Sequence, residues 1–458
     1  MSTEAPAARP IRRLLIANRG EIALRIQRAC REMGIETVQV YSEADRRSRP
    51  VRQADHAVCI GPPQSAASYL RGDLIVQAAR LARADAIHPG YGFLSEKPDF
   101  AEACAKAGIT FVGPSADVIA LMGEKSMARR MAVEAGVPVT PGSPGTVEDA
   151  AHAQREAQRI GFPVLLKAAA GGGGRGMRVV HQAQDLPSQY EAASREALAA
   201  FGDGRMYVER FLPRVRHIEI QVISDGRTVL HLGERDCSVQ RRNQKLLEES
   251  PSPVLDPAVR ERMTQAAVAV CRHVGYTSAG TIECIFDPDS GEFFFMEMNT
   301  RVQVEHPVTE LVTGVDIVKE QIRIAQGQGL SLRQEDLRWH GHALECRINA
   351  EDPQALFAPC PGPLSLVEWP AGPGVRVDSH VQTGDVVPPY YDSLLGKVLT
   401  WGRDRQEAIA RMERALAELR IEGVRTTAGF HRALLRDEGF LRGDVHTRYV
   451  EQTFMATR

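Results

Sequence analysis

Between residues 11 and 112 the chain alternates short apolar runs with longer stretches of helical period. "RRLLIAN" (12–18) and "IETVQVY" (35–41) read as strands, and "DAIHP" (85–89) and "GITFVG" (108–113) as shorter ones. "GEIALRIQRACREMG" (20–34) reads as a helix closed by Gly34, and "DLIVQAARLARA" (73–84) as a further helix. Strand alternating with helix predicts an open parallel α/β sheet. "NRGEIA" (18–23) is then a strand-to-helix turn at the C-terminal edge of that sheet, where ligands tend to sit. It lacks G-x-G-x-x-G, which argues against a dinucleotide there.

Residues 113–138 read as helical segments ending at "AGVP". Two amphipathic helix patterns, "TVEDAAHAQREAQRIG" (146–161) and "DLPSQYEAASREALAAFG" (185–202), flank a glycine-rich stretch. Residues 212–330 are mostly strand followed by helix, and from about Gly341 the pattern shifts to short Gly/Pro-rich strands before a helix, "DRQEAIARMERALAELR" (404–420). The glycine stretch, "KAAAGGGGRGMRVV" (167–180), lies between two apolar runs, "FPVLLK" and "MRVVH", so it reads as strand, glycine turn, strand rather than as a linker. Glycine lets backbone N–H groups approach an anion, and Lys167 and Arg175 flank the turn with positive charge. It is not a Walker A loop, because Gly-Lys-Ser/Thr is missing. A mobile hairpin without a ligand is the alternative.

Composition narrows the setting. With 458 residues the chain has room for about three domains. Its 43% apolar and 25% charged content is that of a soluble globular protein. A net charge of −2 gives no case for nucleic acid or anionic membrane as a partner. The eight cysteines contain no C-x-x-C pair, which argues against zinc and dithiol chemistry. No run approaches ~18 apolar residues, and "MSTEAPAARP" has no apolar signal-peptide core. A cytoplasmic location is expected.

The chemistry concentrates in "TIECIFDPDSGEFFFMEMNTRVQVEHPVTE" (281–310). "DPDSG" is a turn signal, and a hairpin centred on Ser290 sets Glu283 opposite Glu297. Two facing carboxylates repel unless a cation lies between them, and Mg²⁺ takes carboxylates together with substrate phosphates. If the second strand stays extended, Glu297, Asn299, Arg301, Gln303 and Glu305 share one face. A solvated sheet face is the alternative. His306-Pro307 then bends or ends the strand. In "GERDCSVQRRNQKLLEESP" (233–251), Arg235, Arg241, Arg242 and Lys245 surround Gln240 and Asn243; a charged surface loop paired with Glu248 and Glu249 competes with a binding role. "HPGYGFLSE" (88–96) suits a substrate mouth. Arg347, among apolar strand residues, needs an anionic partner, and Glu345 or Asp352 could pair with it structurally.

"IANRGEIALRI", "HPGYGFLSE", "GGGGRGM", "ERDCSVQRR", "EMNTRVQVEHPVTE", "GHALECRINAEDP" and "PPYYDSLLGK" occur in one order, and together they resemble the biotin carboxylase family of the ATP-grasp superfamily, from about residue 11 to 450. The resemblance implies an α/β chain with α+β elements in three parts: an N-terminal open parallel α/β domain (1–124), a central ATP-grasp domain (125–330) with a mobile glycine-rich lid at 139–211, and a C-terminal mixed β-rich domain (331–458). It implies that Lys125, Lys167 and the lid glycines Gly172, Gly173 and Gly174 contact phosphates, with Glu209, Leu212, His217, Gln240 and Asn243 near the nucleotide. Glu283, Glu297 and Asn299 would serve two Mg²⁺ or Mn²⁺ ions. Lys245, Arg301, Gln303, Val304 and Glu305 would hold bicarbonate, with Glu305 as general base. Arg347 would stabilise the biotin enolate and Tyr91 would line the biotin pocket.

The implied reaction is ATP-dependent carboxylation of biotin through carboxyphosphate, as in an acetyl-CoA-carboxylase-type enzyme. No Met-Lys-Met biotin acceptor is present, so biotin is expected on a separate carrier protein, with separate carboxyltransferase subunits and a homodimeric carboxylase. Three positions depart from the family's usual pattern: Asn243 replaces His, Arg210 replaces Lys, and Ala170 shortens the glycine run. "RRNQK" resembles the carboxylase portion of urea amidolyase-type enzymes, so a urea-type or 5-oxoproline-linked system is one alternative. Another ATP-grasp ligase and a nucleotide-binding subunit without turnover are others; the complete bicarbonate set argues against the ligase, and intact Glu283, Glu297 and Arg301 against the inactive subunit.

Overall fold

The computed structural model describes residues 9–169 and 176–456. Five strands, β1 (Arg13–Ile16), β2 (Glu36–Tyr41), β3 (His56–Cys59), β4 (Ala86–His88) and β5 (Thr110–Phe111), form a parallel sheet in the order β3-β2-β1-β4-β5. The sequence pattern anticipates four of them. The fifth, β3, sits at the sheet edge with three of its four residues exposed, so it lacks the apolar run that marks a strand. Helix α1 (Gly20–Glu32) follows β1 directly, and Gly34 leaves it with φ +70°, a left-handed conformation suited to glycine.

The strand order reverses between β1 and β4, opening a crevice at their C-terminal ends. Asn18 closes its floor by donating to the Pro89 and Tyr91 carbonyls, both at 2.7 Å. The two loops the sequence singles out, "NRGEIA" and "HPGYGFLSE", are thus bonded together at one edge of the site.

Residues 113–138 are helical over Ala116–Gly123 and Lys125–Glu134. Strands β6 (Val164–Ala168), β7 (Met177–Val180) and β8 (Met206–Arg210) form a small antiparallel sheet in the order β7-β6-β8. Lys167 pairs with Met177, so the two apolar runs that flank the glycines are paired antiparallel strands. Helices Ala150–Ile160 and Leu186–Phe201 cover this sheet with an alanine-rich core that includes Ala153, Ala157, Ala193 and Ala197. Gly172, Gly173, Gly174 and Arg175 lie outside the described residues.

The remaining architecture is an eight-stranded antiparallel sheet. It comprises β9 (Arg216–Asp225), β10 (Val229–Arg241), β11 (Gln244–Ser250), β12 (Thr277–Asp287), β13 (Glu292–Asn299) and β14 (His342–Asn349), with strands Leu394–Gly402 and Val375–Ser379. The order is β13-β12-β9-β10-β11-β14, then Leu394–Gly402 and Val375–Ser379. Pairing of β11 with β14 carries this one sheet across residue 331. Helix Pro257–His273 packs on β9 and β10, contributing Met263, Ala267 and Val270 to an apolar core with Ile218, Ile220 and Val222. The alternate residues of β9, His217, Glu219 and Gln221, are buried on the opposite face.

Candidate active site

Strand register assembles the site's polar floor. Glu297 lies opposite Glu283, Glu283 opposite Glu219, and Glu219 opposite Arg235. Directly opposed residues share a face, so three carboxylates and one guanidinium form a row across four strands. Glu283 and Glu297 face each other as expected, but the hairpin is not centred on Ser290: Cys284 pairs with Phe295, and a β-bulge at Met296 shifts the register by one residue to set Glu297 opposite Glu283. Arg235 is fully buried; it bonds Glu219, Gln221 at 2.7 Å, Thr309 at 3.0 Å, Thr281 at 3.2 Å and Gln303 at 3.0 Å. The strand around it is therefore a sheet interior, while Arg242, Asn243 and Gln244 are exposed at the turn that ends it. Glu249 pairs with His342 at 2.7 Å and Arg405 at 2.7 Å, away from these bases.

Lys245 enters the row from β11. Its Nζ donates to Glu219 at 2.5 Å, Glu283 at 2.9 Å and Glu305 at 2.6 Å. Burial opposes its charge, but Glu219, Glu305 and Glu283 together hold its pKa well above the ordinary lysine value. Glu305 is held well below the usual carboxylate range: burial works against ionisation, and Lys245 and then Arg347 outweigh it. Arg347 donates through Nη2 to Glu305 at 2.9 Å and through Nε to Glu248 at 2.6 Å. Its partners are thus Glu248 and Glu305, contrary to the expectation of Glu345 or Asp352. Cross-strand register and a loop supply them, and neither is visible in the local sequence.

The extended face expected from Glu297 to Glu305 ends early. Strand β13 stops at Asn299, and the chain turns through residues 300–305 into the helix His306–Thr313, with Pro307 in its first turn. Glu96 causes the departure: it accepts from the Thr300 N–H at 3.1 Å and from Arg301 Nε at 2.8 Å. The polar side chains still converge. Arg301 donates to Asn299 Oδ1 at 2.7 Å, and Gln303 donates to Glu283 at 2.8 Å.

A cleft of about 1110 Å³ joins these groups. Its lining includes Tyr91, Lys167, Glu209, Leu212, His217, Gln240, Asn243, Lys245, Glu283, Glu297, Asn299, Arg301, Gln303, Val304, Glu305 and Arg347. Lys125 does not line it; its exposed side chain lies near enough to Glu297 to favour that group's ionised form. At the far end Lys167 donates to Glu209 at 2.9 Å. Asn243 occupies the β10–β11 turn with φ +64°, a conformation asparagine tolerates better than most residues. Tyr91 donates to Glu21 at the crevice, beside Arg347's end of the cleft.

Glu283 and Glu297 suit a hard cation. They are opposed oxygen donors, and burial, followed by the charge of Glu283, raises the proton affinity of Glu297. The buried Asn299 Nδ2 has no hydrogen-bond partner among the described residues, so its amide is held there on one side only. His217, Glu219 and Glu283 also bring ligand atoms within 4.8 Å, but Lys245 and Arg235 already neutralise that cluster. His217 itself pairs with Glu283 at 3.1 Å. Sequence reasoning missed Glu219, Glu96 and Glu248. The alternation of polar His217, Glu219 and Gln221 with apolar Ile218, Ile220 and Val222 is a signal that could have found the first; the other two depend on distant pairing.

The chain matches three families in succession: "Biotin carboxylase, N-terminal domain" over residues 10–119, "Carbamoyl-phosphate synthase L chain, ATP binding domain" over 124–333, and "Biotin carboxylase C-terminal domain" over 345–452. It is 55% identical over 443 residues to biotin carboxylase 1 of Bacillus subtilis, covering 96% of this chain and 98% of that one. It is 56% identical over 441 residues to the biotin carboxylase of Nostoc sp. strain PCC 7120, with the same coverage. The solved biotin carboxylase domain dimer of Hydrogenobacter thermophilus 2-oxoglutarate carboxylase, in complex with MgADP, ADP and bicarbonate, gives a TM-score of 0.91 at 48% identity, covering 98% of this chain and 99% of that one. The two-sheet central region with its carboxylate row is thus an ATP-grasp unit, and the protein is an ATP-dependent ligase in class. Within that class, the chain belongs to the biotin carboxylase family.

Proposed function

We propose that this chain carboxylates biotin presented by a separate carrier protein, using ATP and bicarbonate, as the first half-reaction of a biotin-dependent carboxylase. The observation that carries this reading is the convergence of Lys245, Arg301, Gln303, Glu305 and Arg347 at one end of a cleft whose other end holds Lys167 and Glu209. An anion at that end meets three cations, Lys245, Arg301 and Arg347, and the carboxylate of Glu305, which suits a bicarbonate that must lose its proton. Glu283, Glu297 and Asn299 would hold Mg²⁺ or Mn²⁺, two ions in the full complex, which would neutralise triphosphate charge.

Glu305 is a weak base in the free site, because Lys245 and Arg347 both stabilise its ionised form. Bicarbonate and triphosphate bring negative charge against the same cations. Each then shares its charge with substrate, and the proton affinity of Glu305 rises. Glu305 accepts the bicarbonate proton, and the resulting carbonate oxygen attacks the γ-phosphorus. ADP leaves and carboxyphosphate forms, with Lys167 on the phosphates. Carboxyphosphate then splits at its C–O bond into CO₂ and phosphate, the phosphate takes the proton of the biotin ureido N–H, and that nitrogen bonds to CO₂ to give carboxybiotin. Arg347, released from Glu305, faces the ureido oxygen as negative charge develops there. Tyr91 and the crevice loop wall this end of the cleft.

The cleft would take ATP, bicarbonate and biotin, so the final carboxyl acceptor would be met at a carboxyltransferase site outside it. The likeness to the Hydrogenobacter domain dimer supports a homodimeric assembly. The test is bicarbonate-dependent ADP release with and without free biotin. Stimulation by biotin supports the reading; stimulation by ammonia or an amine in its place overturns it.

A further inference from the structure

Behind Arg347, away from the cleft, one sheet face carries more negative charge than its cations balance. Glu248 on β11 and Glu345 on β14 are directly opposed, so their side chains share that face. Arg347, two residues beyond Glu345, shares it too, and Lys397 lies opposite Arg347. Both carboxylates are fully buried. Oε1 of Glu248 accepts from Arg347, but its Oε2 and both oxygens of Glu345 have no hydrogen-bond partner among the described residues. The nearby cations are engaged elsewhere: Lys397 donates to the Val304 carbonyl at 2.6 Å and pairs with Glu21 at 3.0 Å, while Lys245 serves Glu219, Glu283 and Glu305. Two opposed, buried carboxylates cannot both remain ionised with three free oxygens between them.

We infer that Glu248 and Glu345 share one proton, Glu345 donating it to the free Oε2 of Glu248, and that this pair positions Arg347 between Glu248 and Glu305. The inference rests on the role proposed for Arg347. The groups facing the pair are Arg347, Glu305, Lys245 and Lys397. Burial first, then the surrounding carboxylates, raises both acids against the pull of the cations, Glu248 to about 7 and Glu345 well above the usual range. Glu248 is the ionised member that fixes the guanidinium, its Oε1 lying 2.6 Å from both Nε and Nη2, so that Arg347 stays in place when Glu305 is exchanged for the biotin ureido oxygen. Loss of the shared proton at alkaline pH adds a second negative charge behind Arg347 and holds it back from biotin.

The pair is tested by infrared spectroscopy of the whole enzyme together with two isosteric variants. A carbonyl stretch of a protonated, buried carboxylic acid is expected at neutral pH in the wild type and is lost in Glu345→Gln. Because glutamine imitates a neutral acid, Glu345→Gln keeps its fold and biotin carboxylation within about threefold, and its pH profile loses the alkaline fall. Glu248→Gln removes the charged partner, so kcat for biotin carboxylation falls roughly 10- to 100-fold while the KM for ATP is unchanged. No protonated-acid band, or a Glu345→Gln protein that is unfolded or as impaired as Glu248→Gln, overturns the inference. A band present in an enzyme that does not carboxylate biotin supports the shared proton and refutes the proposed function instead.

Discussion

Replacing Lys245 with Gln removes the cation at the centre of the carboxylate cluster. The ammonium makes three charge-assisted hydrogen bonds, to Glu219, Glu283 and Glu305. Each carboxylate keeps a second partner: Arg235 for Glu219, His217 for Glu283 and Arg347 for Glu305. Leaving a buried charge wholly unpaired costs about 3–5 kcal/mol, so with these partners in place the loss is about 2–3 kcal/mol. The pH dependence separates this cause from lost packing. Lysine's raised pKa keeps its contribution complete below the ordinary unfolded value, and the depressed pKa values of Glu283 and Glu305 keep theirs complete above the ordinary carboxylate value. Wild-type stability is therefore flat, as far as these groups go, between about pH 6 and about pH 8. In Lys245→Gln the crowded carboxylates gain proton affinity, so one of them binds a proton as the pH falls. The deficit is largest near pH 8 and shrinks towards pH 6, about 2 units lower. Urea unfolding at both pH values measures it, with nucleotide affinity retained and bicarbonate-dependent ADP release lost in the same protein. A deficit below about 1 kcal/mol, or one that is equal at both pH values, refutes the reasoning.

Glu305→Gln keeps the side chain's shape and removes its basicity; ADP release driven by bicarbonate falls by roughly 10²–10⁴ while ADP affinity holds, and near-normal turnover removes Glu305 from proton transfer. Glu96→Gln weakens the hold on Arg301, whose Nε sits 2.8 Å from the carboxylate; the KM for bicarbonate rises about tenfold with the KM for ATP unchanged, and equal rises in both would show general damage rather than mispositioning. After co-expression with a biotin ligase, the intact mass of the chain equals that of the unmodified polypeptide, and an added biotinyl mass contradicts delivery of biotin on another chain.

Local pattern made part of this site legible. The turn "DPDSG" between β-rich runs predicts the β12–β13 hairpin, but its register next to the turn sets Cys284 against Phe295, and a β-bulge at Met296 is needed to bring Glu283 opposite Glu297. The apolar runs on either side of the glycine stretch read correctly as strands, and β6 and β7 pair. Period two fails beyond Asn299: β13 is the outermost strand of its sheet, bridged on its far side by Val139 at Phe295, well before Asn299, and Glu96, 204 residues earlier than Thr300, draws the chain off. Arg347 shows the same limit. Its need for an anion follows from one apolar strand, but which anion depends on β11 pairing with β14 and on a loop before a helix. β3 is invisible to hydrophobic pattern because an exposed edge strand buries too little to have one.

The most direct test of the central claim is to supply labelled bicarbonate, ATP and free biotin to the purified chain and to count carboxybiotin against ADP. The label is expected on the ureido nitrogen of biotin, formed in proportion to biotin-stimulated ADP release and absent when Arg347 is replaced by Ala. ADP release that biotin does not stimulate, with no label transferred to biotin, would contradict it.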